Sequence, residues 1–442
     1  MSQHKLPRNI FQPEFESASR DKMQSLQDQR LVDIIGYVWE RVPYYREKME
    51  KAGVTPADIH STDDLHKLPF TTKDDLRWTY PFGMFAVPRS EIVRIHSSSG
   101  TTGNPTVVGY TRDDLNLWTD LCARFITAVG VTPDDTAQIS FGYGLFTGGF
   151  GLHYGMERVG ASVVPASSGN TRRQIKLMQD FGTSVLICTP SYALYLADAL
   201  ADYGIDPSSL ELKVGLFGGE PWSEQMRSHI ENGLGIHATD NYGLSEIIGP
   251  GVSGECVVKD GMHISEDHFL PELINPDTME NVDPAAGETG ELVITTLTKQ
   301  ALPMIRYRTK DLTTLNHTPC SCGRTTVRME KVSARTDDML IIRGVNIFPS
   351  QIESVLLKTD HVHPHYLITV DRVNKMDRIE VQVEVSEELF HDEMRRFQEH
   401  RTSLKSAIES TLGLSIDLKL VEPRTLARSE GKAQRVMDKR EK

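Results

Sequence analysis

Three short apolar runs at residues 161–165, 184–188 and 214–217 constrain the fold more than any other feature of the chain. Each is of strand length and lies between helix-length stretches, which is the spacing of buried strands in an α/β sheet. Val107-Val108-Gly109-Tyr110 reads as another strand. Thr111 then caps a helix that carries Leu115, Trp118, Leu121, Cys122 and Phe125 on one side, with Gly130 near its end. Upstream, Leu31, Ile34, Ile35, Val38 and Trp39 follow i, i+3, i+4, i+7, i+8, a helix stripe. Thr71-Thr72-Lys73-Asp74-Asp75-Leu76 offers an N-cap with acids in the first turn. Residues 291–297 read as an antiparallel strand of a later subdomain.

Beyond residue 340 the pattern changes. Ile379, Val381, Val383 and Val385 alternate with Glu380, Gln382 and Glu384, a strand buried on one face only. Around it the sequence predicts a helix at 349–358, a strand at 365–371, a long helix at 388–412 and a strand at 415–421. The polar stretch 333–338 marks the boundary between an α/β unit, residues 1–334, and a compact α+β unit, residues 335–442.

The 442-residue chain has 48 Lys+Arg against 61 Asp+Glu, a net charge of −13, which argues against generic nucleic-acid binding. It has no run of 18 apolar residues, so no membrane span is expected. The start, MSQHKLPRNIFQPEFE, lacks an apolar core, so no secretory signal is expected. Five cysteines in a chain of this length are not a disulfide framework and are expected reduced, in the cytoplasm.

Several segments carry chemistry. Ser97-Ser98-Ser99-Gly100-Thr101-Thr102-Gly103-Asn104 is a hydroxyl- and glycine-rich loop between two strand-like runs: a plain loop, or a cradle for a phosphate chain. It is not a Walker A loop, because the four-residue gap and the following Lys are missing. Asn241-Tyr242-Gly243-Leu244-Ser245-Glu246 pairs an aromatic with an exposed acid, suited to ring stacking beside a metal–phosphate site or to a plain turn. Arg306-Tyr307-Arg308-Thr309-Lys310-Asp311 offers a carboxylate for a ribose diol, or is a solvated charge run.

In this order and at these separations, the segments resemble the acyl-adenylate-forming enzymes, and more narrowly the phenylacetate–CoA ligase family. The carriers are YPFGMFAVP at 80–88, SSSGTTGNPTVVGYT at 97–111, FGYGLFTGG at 141–149, GLFGGEPWSE at 215–224, YGLSE at 242–246, RYRTKDL at 306–312, RTDDMLIIRGVNIFPSQIE at 335–353 and RSEGKAQRV at 428–436. The resemblance implies an α/β fold with a large N-terminal domain of mixed sheets, flanking helices and a small β region, followed by a small mobile α+β domain. It implies ATP, Mg²⁺ and coenzyme A, a small carboxylic acid of the phenylacetate-like aryl type, a homodimer, and no nucleic acid or membrane.

Position by position, it implies that Ser98, Ser99, Gly100, Thr101, Thr102 and Gly103 hold the β- and γ-phosphates. Gly218, Gly219, Glu220, Pro221, Asn241, Tyr242 and Gly243 frame the adenine, with Tyr242 stacked on it. Glu246 binds Mg²⁺, Asp311 the ribose, and Arg335 ribose or phosphate. Phe141, Tyr143, Phe146 and Pro250 line the acid pocket. Asp337 is the hinge, Gly344 borders the CoA thiol channel, and Lys432 is the catalytic lysine of adenylation. Two positions depart from the family pattern: Asn104 replaces a usual Lys, and Phe141 stands where aromatic-acid members often carry Tyr.

Cys320-Ser321-Cys322-Gly323-Arg324 forms a tight thiol pair, and Cys256 and His263 lie about 60 residues earlier. Three thiolates and one imidazole make a closed structural Zn²⁺ site, with His268 and His317 as substitutes for His263; the alternative is two reduced surface thiols and a buried Cys256. Cys122 and Cys188 fall on apolar faces. The alternative activities are an adenylating enzyme that loads a carrier-protein phosphopantetheine and a non-catalytic nucleotide-binding regulator on the same fold.

Overall fold

The computed structural model describes residues 9–97, 105–145, 147–283, 287–336, 340–343, 345–359, 361–373, 376–391, 394–427 and 435–440. Its centre is a nine-stranded sheet. Five strands are parallel in the spatial order Ser162–Val164, Thr136–Ile139, Val185–Cys188, Val214–Gly218 and His237–Leu244. Gly249–Glu255, Met262–Ile264, Arg328–Met329 and Leu315–Asn316 then continue the sheet antiparallel.

The apolar runs at 184–188 and 214–217 are strands with both faces covered, whereas Ser162–Val164 is the half-exposed edge strand of the sheet. Val185 and Ile187 enter one core with Val214 and Leu216, while Leu186 and Cys188 enter a second with Phe217. Helix Arg112–Ala128 starts with a capping box in which Thr111 and Asp114 satisfy each other's backbone N–H groups. It packs on helix Gly148–Val159 and strand Gly249–Glu255.

A four-stranded antiparallel sheet follows, ordered Phe269–Ile274, Gly290–Thr296, Tyr307–Thr313 and Ala334–Arg335. The last unit is a mixed sheet in the order Asp417–Val421, Met376–Val385, Val362–Val373 and Val436–Asp438. Ile379, Val381 and Val383 are fully buried against Ile352, Leu404 and Ile408, as the alternation demands. Two details differ from the sequence reading. The strand expected at 365–371 runs the whole of Val362–Val373. The single helix expected at 388–412 is two helices, Glu387–Phe390 and Met394–Leu412, because His391 leaves helical geometry at φ −96°, ψ 5°. Among the described residues no helix is long and apolar enough to cross a membrane.

Candidate active site

The parallel strands place the site. From Thr136–Ile139 the chain first steps to Ser162–Val164 on one side, then returns to Val185–Cys188 on the other. Such a reversal opens a crevice at the carboxyl ends of the strands. Phe141 follows strand Thr136–Ile139, Gly218–Pro221 closes strand Val214–Gly218 two strands along, and Asn241–Glu246 closes its neighbour His237–Leu244. Segments far apart in sequence thus meet along one sheet edge.

Residues 98–104, Phe146, Asp337, Gly344 and Lys432 lie outside the described residues. On either side of residues 98–104, Arg94–Ser97 pairs antiparallel with Val107–Tyr110.

Glycine is required at two points. A Cβ on Gly243 would lie 1.8 Å from the Gly249 carbonyl oxygen, and one on Gly218 would lie 2.5 Å from that of Asn241. Asn241 Nδ2 donates to the Phe217 carbonyl at 2.6 Å, tying these adjacent strand ends together. Tyr242 donates its hydroxyl to Asp311 at 2.6 Å, and Arg335, opposite Asp311 in the antiparallel register, ion-pairs with the same carboxylate. Burial, reinforced by Asp311, pushes the Tyr242 hydroxyl well above its ordinary range. Tyr242, Asp311 and Arg335 therefore form one connected row.

Glu246 corrects the sequence reading. It is buried rather than exposed, because the chain turns back into the body between strands His237–Leu244 and Gly249–Glu255. Two cations that sequence inspection passed over attend it. Lys73, the first residue of helix Lys73–Trp78, holds Nζ 3.6 Å from Glu246 Oε1. Lys299 is 1% exposed and donates to the Glu246 backbone carbonyl at 3.1 Å from above the Tyr110 ring. Neither shows a local motif; only the tertiary approach reveals them.

On the other side of the crevice, Phe141 is buried and Tyr143 half-buried, with Tyr143 edge-on to Phe150 at 5.2 Å. Pro250 is buried, and its carbonyl accepts from Trp118 Nε1 at 2.7 Å. His96 stands among Tyr110, Trp118 and Phe150 with its Nδ1 3.1 Å from the Leu145 carbonyl oxygen.

Away from the crevice, Cys256, His263, Cys320 and Cys322 are all buried, with ligand atoms within 4.8 Å of one another. The alternative of two reduced surface thiols is thereby ruled out, since Cys320 and Cys322 are both buried. Cys256 Sγ and Cys320 Sγ are 3.9 Å apart, and Cys322 Sγ and His263 Nε2 are 3.4 Å apart. Hydrogen bonds from Cys256 and His263 hold Cys322 below the usual thiol range. His263 Nδ1 meets Thr326 Oγ1 at 3.1 Å, which leaves Nε2 directed at the thiols. His268 pairs instead with Asp267 and Thr298. Cys122 and Cys188 are core residues, fully buried as expected.

Comparison with known proteins agrees with this geometry. The AMP-binding enzyme family matches residues 42–298, and the AMP-binding enzyme C-terminal domain matches residues 344–440. Fold and site together thus define an adenylate-forming enzyme. The phenylacetate-coenzyme A ligase of Thermus thermophilus is 49% identical over 445 residues, covering 98% of this chain and 100% of that protein. The Escherichia coli phenylacetate-coenzyme A ligase is 50% identical over 430 residues, covering 96% and 97%. The chain belongs to the phenylacetate–CoA ligase family. It is an AMP-forming acid–CoA ligase, which uses ATP to make an acyl-AMP and then a CoA thioester.

Among solved structures, 2-hydroxyisobutyryl-CoA ligase in the postadenylation state, in complex with 2-HIB-AMP, superposes with a TM-score of 0.89 at 30% identity, covering 96% of this chain and 91% of that one. The same ligase in the thioesterification state, with 2-HIB-AMP and CoA, gives 0.71 at 31% identity over 97% and 92%. With identity and coverage nearly equal, this chain superposes more closely on the postadenylation structure than on the thioesterification one.

Proposed function

We propose that the acid is a phenylacetate-like aryl acid, bound where Phe141, Tyr143, Phe146 and Pro250 meet the crevice. The observation that carries this reading is the convergence of Phe141, Tyr143 and Pro250 on the sheet edge that also ends in Gly218–Pro221 and Asn241–Glu246. The curated relatives that name phenylacetate support the same substrate class. Residues 1–334 form the body that holds ATP and acid, and residues 335–442 form the mobile domain, hinged at Asp337.

In the first half-reaction the acid carboxylate attacks the α-phosphorus of ATP, forming acyl-AMP and releasing pyrophosphate. The two reactants are anions, so the protein's work is electrostatic. Ser98, Ser99, Gly100, Thr101, Thr102 and Gly103 hold the β- and γ-phosphates. Gly218, Gly219, Glu220, Pro221, Asn241, Tyr242 and Gly243 frame the adenine, Asp311 takes the ribose hydroxyls, and Arg335 lies alongside. Lys73 supplies a cation near the phosphates, where Asn104 leaves one out. Lys432 bridges the acid carboxylate and the α-phosphate. The buried Glu246 carboxylate suits a hard cation shared with phosphate oxygens, and bound Mg²⁺ would neutralise phosphate charge there. The CoA thiol then attacks the acyl carbonyl and releases AMP, entering past Gly344 once Lys432 has withdrawn.

The sulfur cluster fits a structural Zn²⁺ site. Tetrahedral zinc with Zn–S about 2.3 Å and Zn–N about 2.05 Å implies S···S edges near ~3.8 Å and S···N edges near ~3.5 Å. Two of the edges, 3.9 Å for Cys256–Cys320 and 3.4 Å for Cys322–His263, match, and all four ligand atoms lie within 4.8 Å of one another. Zinc there would fix the loop whose Arg324 ion-pairs with Glu16 at 2.6 Å and so holds the N-terminal helix. Tag-free protein is expected to carry about one zinc per chain. Metal-free protein whose Cys320→Ser variant unfolds normally would remove this assignment. The free cysteines are all buried, in keeping with a reducing, cytoplasmic setting.

Pyrophosphate release across a library of acids tests the substrate reading, and product mass with CoA or a carrier protein identifies the acceptor. Lys432→Ala is expected to slow adenylation by orders of magnitude while sparing CoA attack on pre-made acyl-AMP. Equal loss of both half-reactions would defeat the role given to Lys432.

A further inference from the structure

Helix Pro190–Asp202 of the body presents Ser191, Asp198 and Asp202 on one face, at i, i+7 and i+11. Each meets a residue of the C-terminal unit. Arg435 Nη2 donates to Ser191 Oγ at 3.2 Å, His365 Nε2 lies 3.7 Å from Asp198, and Arg424 pairs with Asp202.

The three contacts are unequal. The Asp198 and Asp202 carboxylates are about half exposed, and such rim pairs contribute little. The Arg435 side chain is only 16% exposed. Its other nitrogen pairs with Glu353, itself 9% exposed, and reaches the Tyr366 hydroxyl at 3.3 Å, with the guanidinium above the Tyr366 ring. On the body side, the Ser191 backbone N–H donates to Glu220 Oε1 at 2.7 Å. Glu220 belongs to the glycine-rich turn after strand Val214–Gly218, and Arg435 stands three residues beyond Lys432.

We propose that Arg435 is a positioning residue, the latch that holds the C-terminal unit docked on the body for adenylation. The chain of contacts runs from Glu353 and Tyr366 through Arg435 and Ser191 to Glu220, joining the small domain's core to the loop assigned to the adenine. The latch suits a joint that must open. When it parts, Arg435 keeps Glu353 and Tyr366 as partners, and Ser191 keeps Glu220, so no charge is left buried and unpaired. An apolar seam of the same extent would not release as readily. The proposal rests on the acyl-AMP reading of Lys432 and adds to it a named contact that holds the docked state.

The two half-reactions test it separately, with single-turnover acyl-AMP formation from ATP and acid, and thioester formation from synthetic acyl-AMP and CoA. Arg435→Met is expected to slow the first by roughly a hundredfold, the order that misplacing a reacting group costs, and to leave the second within about twofold. Arg435→Lys keeps the charge without the fork and should recover part of the loss. Ser191→Ala perturbs the latch from the body side, so a folding defect in the small domain would not hide the effect; it should slow the same half-reaction only. A spin-label distance between helix Pro190–Asp202 and helix Met394–Leu412 should shift from the docked value to a broader, longer distribution in Arg435→Met. Equal loss in both half-reactions, or unchanged adenylation in both variants, would overturn the latch. A wild-type enzyme that makes no acyl-AMP would overturn the underlying reading instead.

Discussion

Trp118 carries the floor of the proposed acid pocket, and its removal has a calculable consequence. The residue is 1% exposed, stacks on Tyr110 at 5.1 Å and 12°, and donates to the Pro250 carbonyl at 2.7 Å. Cys122 Sγ reaches the same carbonyl at 3.3 Å, so that acceptor keeps one partner when the indole is lost. Trp118→Phe therefore loses one hydrogen bond, about 1 kcal/mol. It also loses two buried ring carbons net, about 0.8 kcal/mol each. The sum is about 2–3 kcal/mol, read as a lower urea midpoint for the body. Because Pro250 is then held by the Cys122 thiol alone, KM for the acid should rise while KM for ATP holds. Gly151 closes the test, since a Cβ there would meet the indole at 2.5–2.6 Å. Gly151→Ala alone overpacks the site by about 1–3 kcal/mol, against a helix-propensity gain of up to about 1 kcal/mol. In the Trp118→Phe background the new methyl enters vacated space, so the pair should show coupling above about 1 kcal/mol. Additive effects, or a Trp118→Phe cost under about 0.5 kcal/mol, would refute the reasoning.

Two further outcomes are expected. Burial, then the charge of Glu255, pushes the Asp240 carboxyl from 3.8 up to about 7. The folded state then holds that proton more tightly than the unfolded chain, so this contribution to stability is present at acid pH and lost as pH rises through about 7. Asp240→Asn should accordingly stabilise the protein more at pH 8 than at pH 5 in thermal melts, and a pH-independent difference would contradict the assignment. Lys73→Met removes the half-exposed cation beside Glu246 and should raise KM for ATP about tenfold, about 1.4 kcal/mol, with KM for the acid unchanged. Pyrophosphate-release kinetics measure both constants.

What the sequence disclosed follows from how far apart the determining contacts lie. The alternation from Ile379 to Val385 needs only neighbouring residues to declare a one-sided strand, and strand Met376–Val385 has its apolar face sealed by helix Met394–Leu412. The Thr111 cap is likewise local. Cys256, His263, Cys320 and Cys322 were legible across about 60 residues because thiol and imidazole are scarce types with one common use in a tetrahedral set. Lysine and arginine carry no such signal. Lys73, Lys299 and Arg435 sit in ordinary polar surroundings along the chain, and each acquires a partner only when distant elements meet. The misjudged exposure of Glu246 has the same origin, since whether an acid after a strand faces water depends on where the next strand turns.

Those long-range cations also bear on the proposed division of the reaction between two bodies. At an effective dielectric constant near 20, two unit anions about 4 Å apart repel by about 4 kcal/mol. The body meets this with Lys73, half exposed, and Lys299, which is spent on the backbone carbonyl of Glu246 rather than aimed at solvent. A third cation fixed permanently between the acid and the α-phosphate would oppose the second step, because it would occupy the approach that a thiol must use. On the proposed role of Lys432, its delivery on a separate domain would remove the conflict, provided that docking is strong enough to seat it and weak enough to let it leave. A largely buried guanidinium flanked by the half-exposed Arg424–Asp202 ion pair and a looser His365–Asp198 contact meets both conditions. The docked state gains a directional hydrogen bond to the body at the centre, while separation exposes groups that water and their own domain already satisfy.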